Sequence, residues 1–341
     1  MTYVPKYLKL QRESAWMGSL VGSVVFESNL FFVDIVDESM NPDQGFIDAE
    51  TAGYLEPRLR LPGGYLVAGD IGMLVDVHSI LPILHAFCGA SEISTNSIAV
   101  SAVYSHVFKP GLHPKTLRAT LNPNVEDVFG GGSYKGRALR GFAIKTIEIA
   151  ASAREACTMT ITNQSAKDMQ VDRDAVVTFP TVRPLSFTDG VVSSLSGDVK
   201  VEAFTLRAER IMADDNFALG SRFLPFLHAA GVTVSGSMDI GFREWATFKK
   251  FWGGAAATEP ALSPLSYTLQ LKFEGDIAAG AKKQSLQIDC PKIFLNTTNA
   301  NIDRRERIVQ GVDFTGLYDP TSGYGIKFTV IAKKKIIWKP G

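Results

Sequence analysis

Twenty-nine residues of this chain, GYLVAGDIGMLVDVHSILPILHAFCGASE from Gly64 to Glu92, are answered without a gap, 167 positions later, by GVTVSGSMDIGFREWATFKKFWGGAAATE from Gly231 to Glu259. Five pairs are identical: Gly64/Gly231, Val67/Val234, Gly69/Gly236, Ala90/Ala257 and Glu92/Glu259. Pattern carries more weight than identity. In the first stretch Tyr65, Val67, Ile71, Met73 and Val75 alternate, the period of a half-buried strand. After Asp76 the residues Val77, Ile80, Leu81, Leu84 and Cys88 fall three or four apart, the stripe of an amphipathic helix of about two to three turns. Asp76 and Ser79 are both suitable N-caps, Pro82 lies early enough to be tolerated, and Gly89 suits the C-terminal stop. In the second stretch Met238, Ile240 and Phe242 take the strand positions, Phe248 and Phe251 the helix positions, and Trp245 the place of His78.

The likeness extends outward. AVSAVYSHVFKPG (99–111) and PLSYTLQLKFEGD (264–276) both alternate after the helix. GSVVFESNLFFVDIVDE (22–38) and GDVKVEAFTLRAER (197–210) both precede the glycine-led strand, with a long irregular segment between. Repeats of this kind read as tandem copies of one domain, here 1–172 and 173–341, joined around Ala166–Phe187, where charge and proline interrupt the periodicity. Two unrelated β domains are the alternative. Thirty glycines and sixteen prolines spread among many Val, Thr and Phe residues favour a mainly β chain. Each copy is expected to be an antiparallel β-sandwich or half-barrel with one flanking α-helix.

Chemistry is poorly advertised. Thirty-five basic and thirty-five acidic residues cancel, which argues against a phosphate-gripping protein. Cys88, Cys157 and Cys290 are far apart and read as buried thiols. MTYVPKYLKLQRESAW has no signal-peptide core, and ILPILHAFC is too short to span a bilayer, so synthesis in a reducing cytoplasm without a membrane partner is expected. The five histidines show no metal-binding spacing, and His106 reads as a satisfied sheet residue. FGGGSYKGR (129–137) lacks the phosphate-loop spacing, and no GxSxG elbow is present. The carboxylates Asp34, Asp37 and Glu38, or Asp214 and Asp215, read as solvated strand ends rather than a hydrolytic pair. The sequons at Asn163 and Asn296 carry no meaning without secretion. No catalytic, cofactor-binding or metal-binding residues are assigned. Trp245 and Trp252 read as packing residues. Trp16 and Trp338, the latter in the basic ending KKKIIWKPG (333–341), read as anchors for a partner.

In order and texture the chain resembles the major tail tube proteins of long-tailed, non-contractile bacteriophages, over nearly its whole length. LQRESAWMGSLV is similar to that family's opening segment, a Glu followed by a small-residue turn. The two glycine-led strand–helix stretches resemble its core strand and flanking helix, and AVYSHVF and YTLQLKF its next strand. FALGSRFLPFLHAAGVTVSGSMDI is similar to the approach to that core in tandem members, and IVQGVDFTGLYDPTSGYGIKFTVIAK to its closing strands. The resemblance implies a structural virion protein. Its inner sheets would join copy to copy into a barrel, with homotrimeric, pseudo-hexameric rings stacked as a DNA conduit. Implied partners are the tape-measure protein and DNA in the lumen, and the tail terminator and baseplate proteins at the ends. A terminator or baseplate ring protein, and less so a carbohydrate-binding sandwich, are the competing readings.

The long segments Asp37–Pro62 and Glu209–Ala230 are expected to be the adaptable parts, mobile in free subunits and ordered against the adjacent ring, since loops of that length are seldom idle. Contacts between copies or rings are expected from Trp16, Pro42, Phe46, Tyr54, Arg58, Phe217, Arg222, Phe223 and Trp338.

Overall fold

Alternation of apolar and polar residues builds most of this molecule. In a computed structural model the described residues are 6–13, 16–17, 31–49, 56, 59–89, 92–98, 101–127, 133–172, 174, 177–194, 200–241, 245–254, 256–263, 265–280, 282–299 and 308–334. The chain opens with β1 (Tyr7–Arg12), β2 (Phe31–Val33), β3 (Ile35–Glu38) and β4 (Asn41–Asp43). A small pair, β5 (Ile47–Ala49) and β6 (Leu59–Leu61), precedes β7 (Leu66–Leu74) and helix α1 (Ile80–Cys88). Then come β8 (Glu92–Ile98), β9 (Ser101–Phe108), β10 (Leu117–Asp127), β11 (Ser133–Ser152), β12 (Thr158–Ser165) and β13 (Lys167–Asp172). The remainder holds β14 (Gly190–Ser194), β15 (Val201–Met212), β16 (Ala229–Gly241), helix α2 (Trp245–Trp252) and β17 (Tyr267–Ala279). It closes with β18 (Lys282–Asn299), β19 (Val309–Gly316) and β20 (Lys327–Ala332). All but β5 and β6 belong to one connected sheet with antiparallel ladders, so the chain is mainly β, as expected.

The apolar faces of the longer strands feed a single core. Phe204 and Leu206, Met238 and Ile240, Leu269 and Leu271, and Phe328 and Val330 are all buried in it. Both expected helices form. Asp76 does the capping at α1: one carboxylate oxygen accepts the N–H groups of His78 and Ser79, at 2.8 and 2.9 Å. Gly89 ends the helix at φ 83° and donates to the His85 carbonyl. The expected amphipathic stripe is too narrow a description, because all nine α1 residues are buried. α2 instead keeps an exposed face, with Trp245 59% exposed and stacked on Trp252.

Two very long strands organise the sheet. β11 pairs with β10 and β13 along its first half, then with β12 and β15 along its second. β18 pairs with β17 and β20 along its first half, then with β19. The changeover falls at a bulge. In β11 it holds Gly141, at φ 62°. In β18 it holds Pro291, tolerated because the ladder from Leu269↔Cys290 to Tyr267↔Ile293 is already shifted there. SLQIDC and PKIFLNTT, on either side of that proline's bulge, therefore belong to one strand.

The register repeats. Ile161 faces Ile71 and Ile147, as Val312 faces Met238 and Thr298. Ile35 and Asp37 meet β7 across a bulge, and Val201 and Ala203 meet β16 across one too. Beyond the helices the ladders overturn the sequence alignment. β17 corresponds to β10, not β9: Leu117 and Ala119 against Phe142 and Leu139 match Tyr267 and Leu269 against Ile293 and Cys290. The β8–β9 hairpin is extra, and its β9 pairs with β20. Plain alternation suits any half-buried strand, so it could not tell β9 from β10. The stretch expected to hold the join opens on a paired strand, β13.

Candidate functional site

Eight neighbouring borders define the surface of interest. In order they are β3–β4, β7, β12, the second half of β11, β15, β16, β19 and the second half of β18. Inside, every strand has two neighbours. The join of β11 to β15 runs from Thr146↔Glu209 to Ser152↔Ala203 and brings the two repeated stretches into one sheet.

The two ends have open borders among the described residues. β3–β4 pair on one side only, with β7. The end of β18 pairs on one side only, with β19, through Thr297, Thr298 and Asn299. Unpaired N–H and C=O rows invite another strand. The β3–β4 border carries some protection. Pro42 has no N–H to offer, Glu38 takes the Met40 N–H at 3.0 Å, and Arg137 donates to the Met40 carbonyl at 2.6 Å.

One face of this sheet is core and the other is polar. On β12 the outward residues are Thr158, Thr160 and Thr162; on β16 they include Ser235 and Ser237. Asp37, Asp43, Asp70, Glu148, Glu209, Asp239 and Asp313 share that face through the ladder pairing. Arg207 is the basic side chain at these paired positions, and its guanidinium lies 3.0 Å from Glu209 and 3.7 Å from Glu148. The outcome is a hydroxyl-rich, acidic wall.

At the rim of the sheet, four of the expected contact residues make contacts inside the chain. The Trp16 indole donates to the Leu224 carbonyl at 2.8 Å. Arg222 donates to the Gly63 carbonyl at 3.2 Å, and its own carbonyl accepts the Tyr65 N–H at 2.7 Å. Phe223 meets Tyr65 edge-on at 5.8 Å and lies under the Lys167 ammonium at 5.1 Å. Phe217 covers Gly64, where a Cβ would fall 2.5 Å from the ring.

The others are placed apart. Pro42 lies on the open border, and Phe46, 52% exposed, stands under the Arg60 guanidinium at 5.4 Å. Tyr54, Arg58 and Trp338 lie outside the described residues.

Sequence reading missed Arg210 and Glu13. Arg210 has no exposed surface and donates to the carbonyls of Phe87 at 2.8 Å and Gly111 at 2.9 Å. Its place on the apolar side of β15, among Leu206, Ala208 and Met212, was the available signal. Glu13 is buried beside Gly141, and burial pushes its pKa up to about 7. His106 is buried, with Nε2 3.0 Å from the Lys334 carbonyl, and the three cysteines are buried and free.

The arrangement has the makings of an assembly surface: two open borders, one acidic wall and an apolar rim. A family model described as phage tail tube protein matches residues 8–316. No curated protein matches the chain.

Proposed function

The chain belongs to the phage tail tube protein family, and from that premise we propose that three copies close into a ring whose stacking makes the DNA conduit of the virion. Membership makes it a structural component of the phage particle that assembles with other virion proteins. We read it as two tandem units, 1–172 and 173–341, so that three chains give six units around the bore.

One observation carries this reading: the β11–β15 join inside the chain is a template for a join between chains. β18 repeats the ladder of β11, and β3–β4 repeat that of β15. Transferring Thr146↔Glu209, Ile147↔Ala208 and Glu148↔Arg207 to the open borders sets Thr297 beside Asp43, Thr298 beside Pro42 and Asn299 beside Asn41 of the next copy. Three such joins satisfy every border. With eight strands from each chain, the barrel is wider than the 16- to 18-stranded barrels that already leave an aqueous channel.

The acidic wall then faces the lumen, where it repels the phosphate backbone and lets DNA slide. Ring-on-ring contact is heterologous and does not close, so it propagates as a filament. The tape-measure protein and DNA pass through the lumen transiently, and terminator and baseplate proteins cap the ends. Catalysis, cofactor and metal have no part in this role.

The register is tested by pairing Asn41→Cys with Asn299→Cys. Oxidation of assembled protein is expected to give covalent closed trimers, whereas each single variant stays monomeric on a denaturing gel. Directly opposed residues of an antiparallel pair lie within disulfide reach. Assembled tubes with no such cross-link would sink the proposed join. Electron microscopy of concentrated protein should show hollow filaments of regular axial repeat.

A further inference from the structure

The segment from β4 to β7 and the segment from β15 to β16 hold the same place in the repeated register. The second of these packs within the chain. Phe217 lies on Gly64, Arg222 and Tyr65 are bonded backbone to backbone, and Ala166 has no exposed surface. The matching positions one repeat later are bare. A Cβ on Gly231, the counterpart of Gly64, meets nothing within 4 Å. Leu317, the counterpart of Ala166, is 47% exposed, and Tyr318 beside it is 64% exposed. Gly231, Val232, Gly316 and Tyr318 line an open cavity of about 460 Å³.

The segment that would cover it is equally exposed. β5 and β6 pair only with each other among the described residues. Their apolar side chains Ile47, Leu59 and Leu61, with Phe46 just before them, are 42–57% exposed. A soluble chain rarely displays so much apolar surface on one arm without a partner.

We propose that the β5–β6 pair of one copy, through Phe46, Ile47, Leu59 and Leu61, docks over Gly231 of the neighbouring copy in the same ring, as Phe217 and its segment dock over Gly64 inside the chain. This rests on the ring reading above, because the β18–β4 join is what brings the arm to that cavity. The ring is thereby held twice at each junction, by backbone pairing along the sheet and by apolar packing at its rim. The same surface would be left uncovered in a free chain, which ties burial of the arm to assembly.

A benzophenone amino acid at position 318 tests the docking, in rings grown from equal amounts of ¹⁴N- and ¹⁵N-labelled chain. Irradiation is expected to link position 318 to Phe46 or the β5–β6 pair, with mixed isotopes across the link. Links in assembled rings to any other segment, or within one chain only, overturn the docking and leave the ring reading standing. A wild-type chain that forms neither rings nor filaments at any concentration removes the ring reading itself. In a second variant, Gly231→Trp, the side chain enters open space and the fold is retained. The concentration needed for ring formation should rise by roughly tenfold or more, as for a blocked anchor pocket. Unchanged assembly of that variant counts against the docking.

Discussion

Glu13 lies 4% exposed, and both carboxylate oxygens accept the Gly141 N–H, at 3.1 and 3.2 Å. Burial raises its pKa from about 4.5 to about 7, against smaller downward pulls from that N–H, Thr116 and Arg140. Between those two values the folded chain holds a proton that the unfolded chain has released. Stability therefore falls as pH rises through that window. Glu13→Gln should flatten the slope and stabilise the chain at pH 8, by on the order of 1–3 kcal/mol. Chemical denaturation across pH 4–8 reads both effects, and a wild-type curve that climbs over the window with no change in the variant refutes the assignment. The neighbouring Gly141 is constrained twice. Its φ is 62°, and a Cβ would come within 3.2 Å of the Trp16 ring. Gly141→Ala should lower stability by about 1–2 kcal/mol, seen as a lower melting temperature.

Helix α1 depends on a residue from a distant strand. Arg210 of β15 puts its guanidinium on the carbonyls of Phe87 and Gly111, with a longer contact to Ala230 at 3.3 Å. A cation at a helix C-terminus is favoured by the dipole, and here it also satisfies carbonyls closed off from water. Arg210→Met leaves those acceptors unpaired, and a loss of about 2–4 kcal/mol is expected by denaturant titration. A variant as stable as the parent would mean that water replaces the guanidinium at no cost. The β5–β6 arm calls for the opposite outcome. Phe46 and Leu59 are exposed, so Phe46→Asp with Leu59→Asp should shift the melting of the free chain by no more than about 0.5 kcal/mol. The same pair should abolish filaments under the microscope, because the charges would enter an apolar junction.

At the scale of the whole molecule, zero net charge conceals a strong asymmetry. Acidic residues concentrate on the polar face of the eight-strand sheet, while its Arg207 is already engaged by Glu148 and Glu209. Asp70 and Asp239 lie on that face at least one strand in from the proposed joins, whereas Asp313 accepts the hydroxyl of Thr297 in the join itself. Replacing Asp70 and Asp239 by Lys should leave tubes intact and create DNA binding that weakens steeply with salt. Wild-type tubes that already bind DNA tightly, in a salt-sensitive manner, would contradict a conduit wall.

The repeated stretch announced the strand, the helix and the doubling of the pattern, because burial on one face imposes periods of two and of 3.6 that survive substitution. Asp76 and Gly89 were legible for the same reason: a cap and a stop are local chemistry. The equivalence of β17 with β10 was not legible, since neighbouring strands of like alternation are interchangeable until their hydrogen-bond partners are known. Nor was the sorting of the expected contact residues. Arg222, Phe223 and Trp16 contact their own chain and the partly exposed Phe217 covers Gly64, while Phe46 faces outward, and an aromatic side chain reads alike in either role. Sequence alone determined which segments carry a buried face. Only the tertiary structure decided which borders stay open, because a strand edge is satisfied by whatever chain lies beside it in space, and that neighbour is far away in sequence.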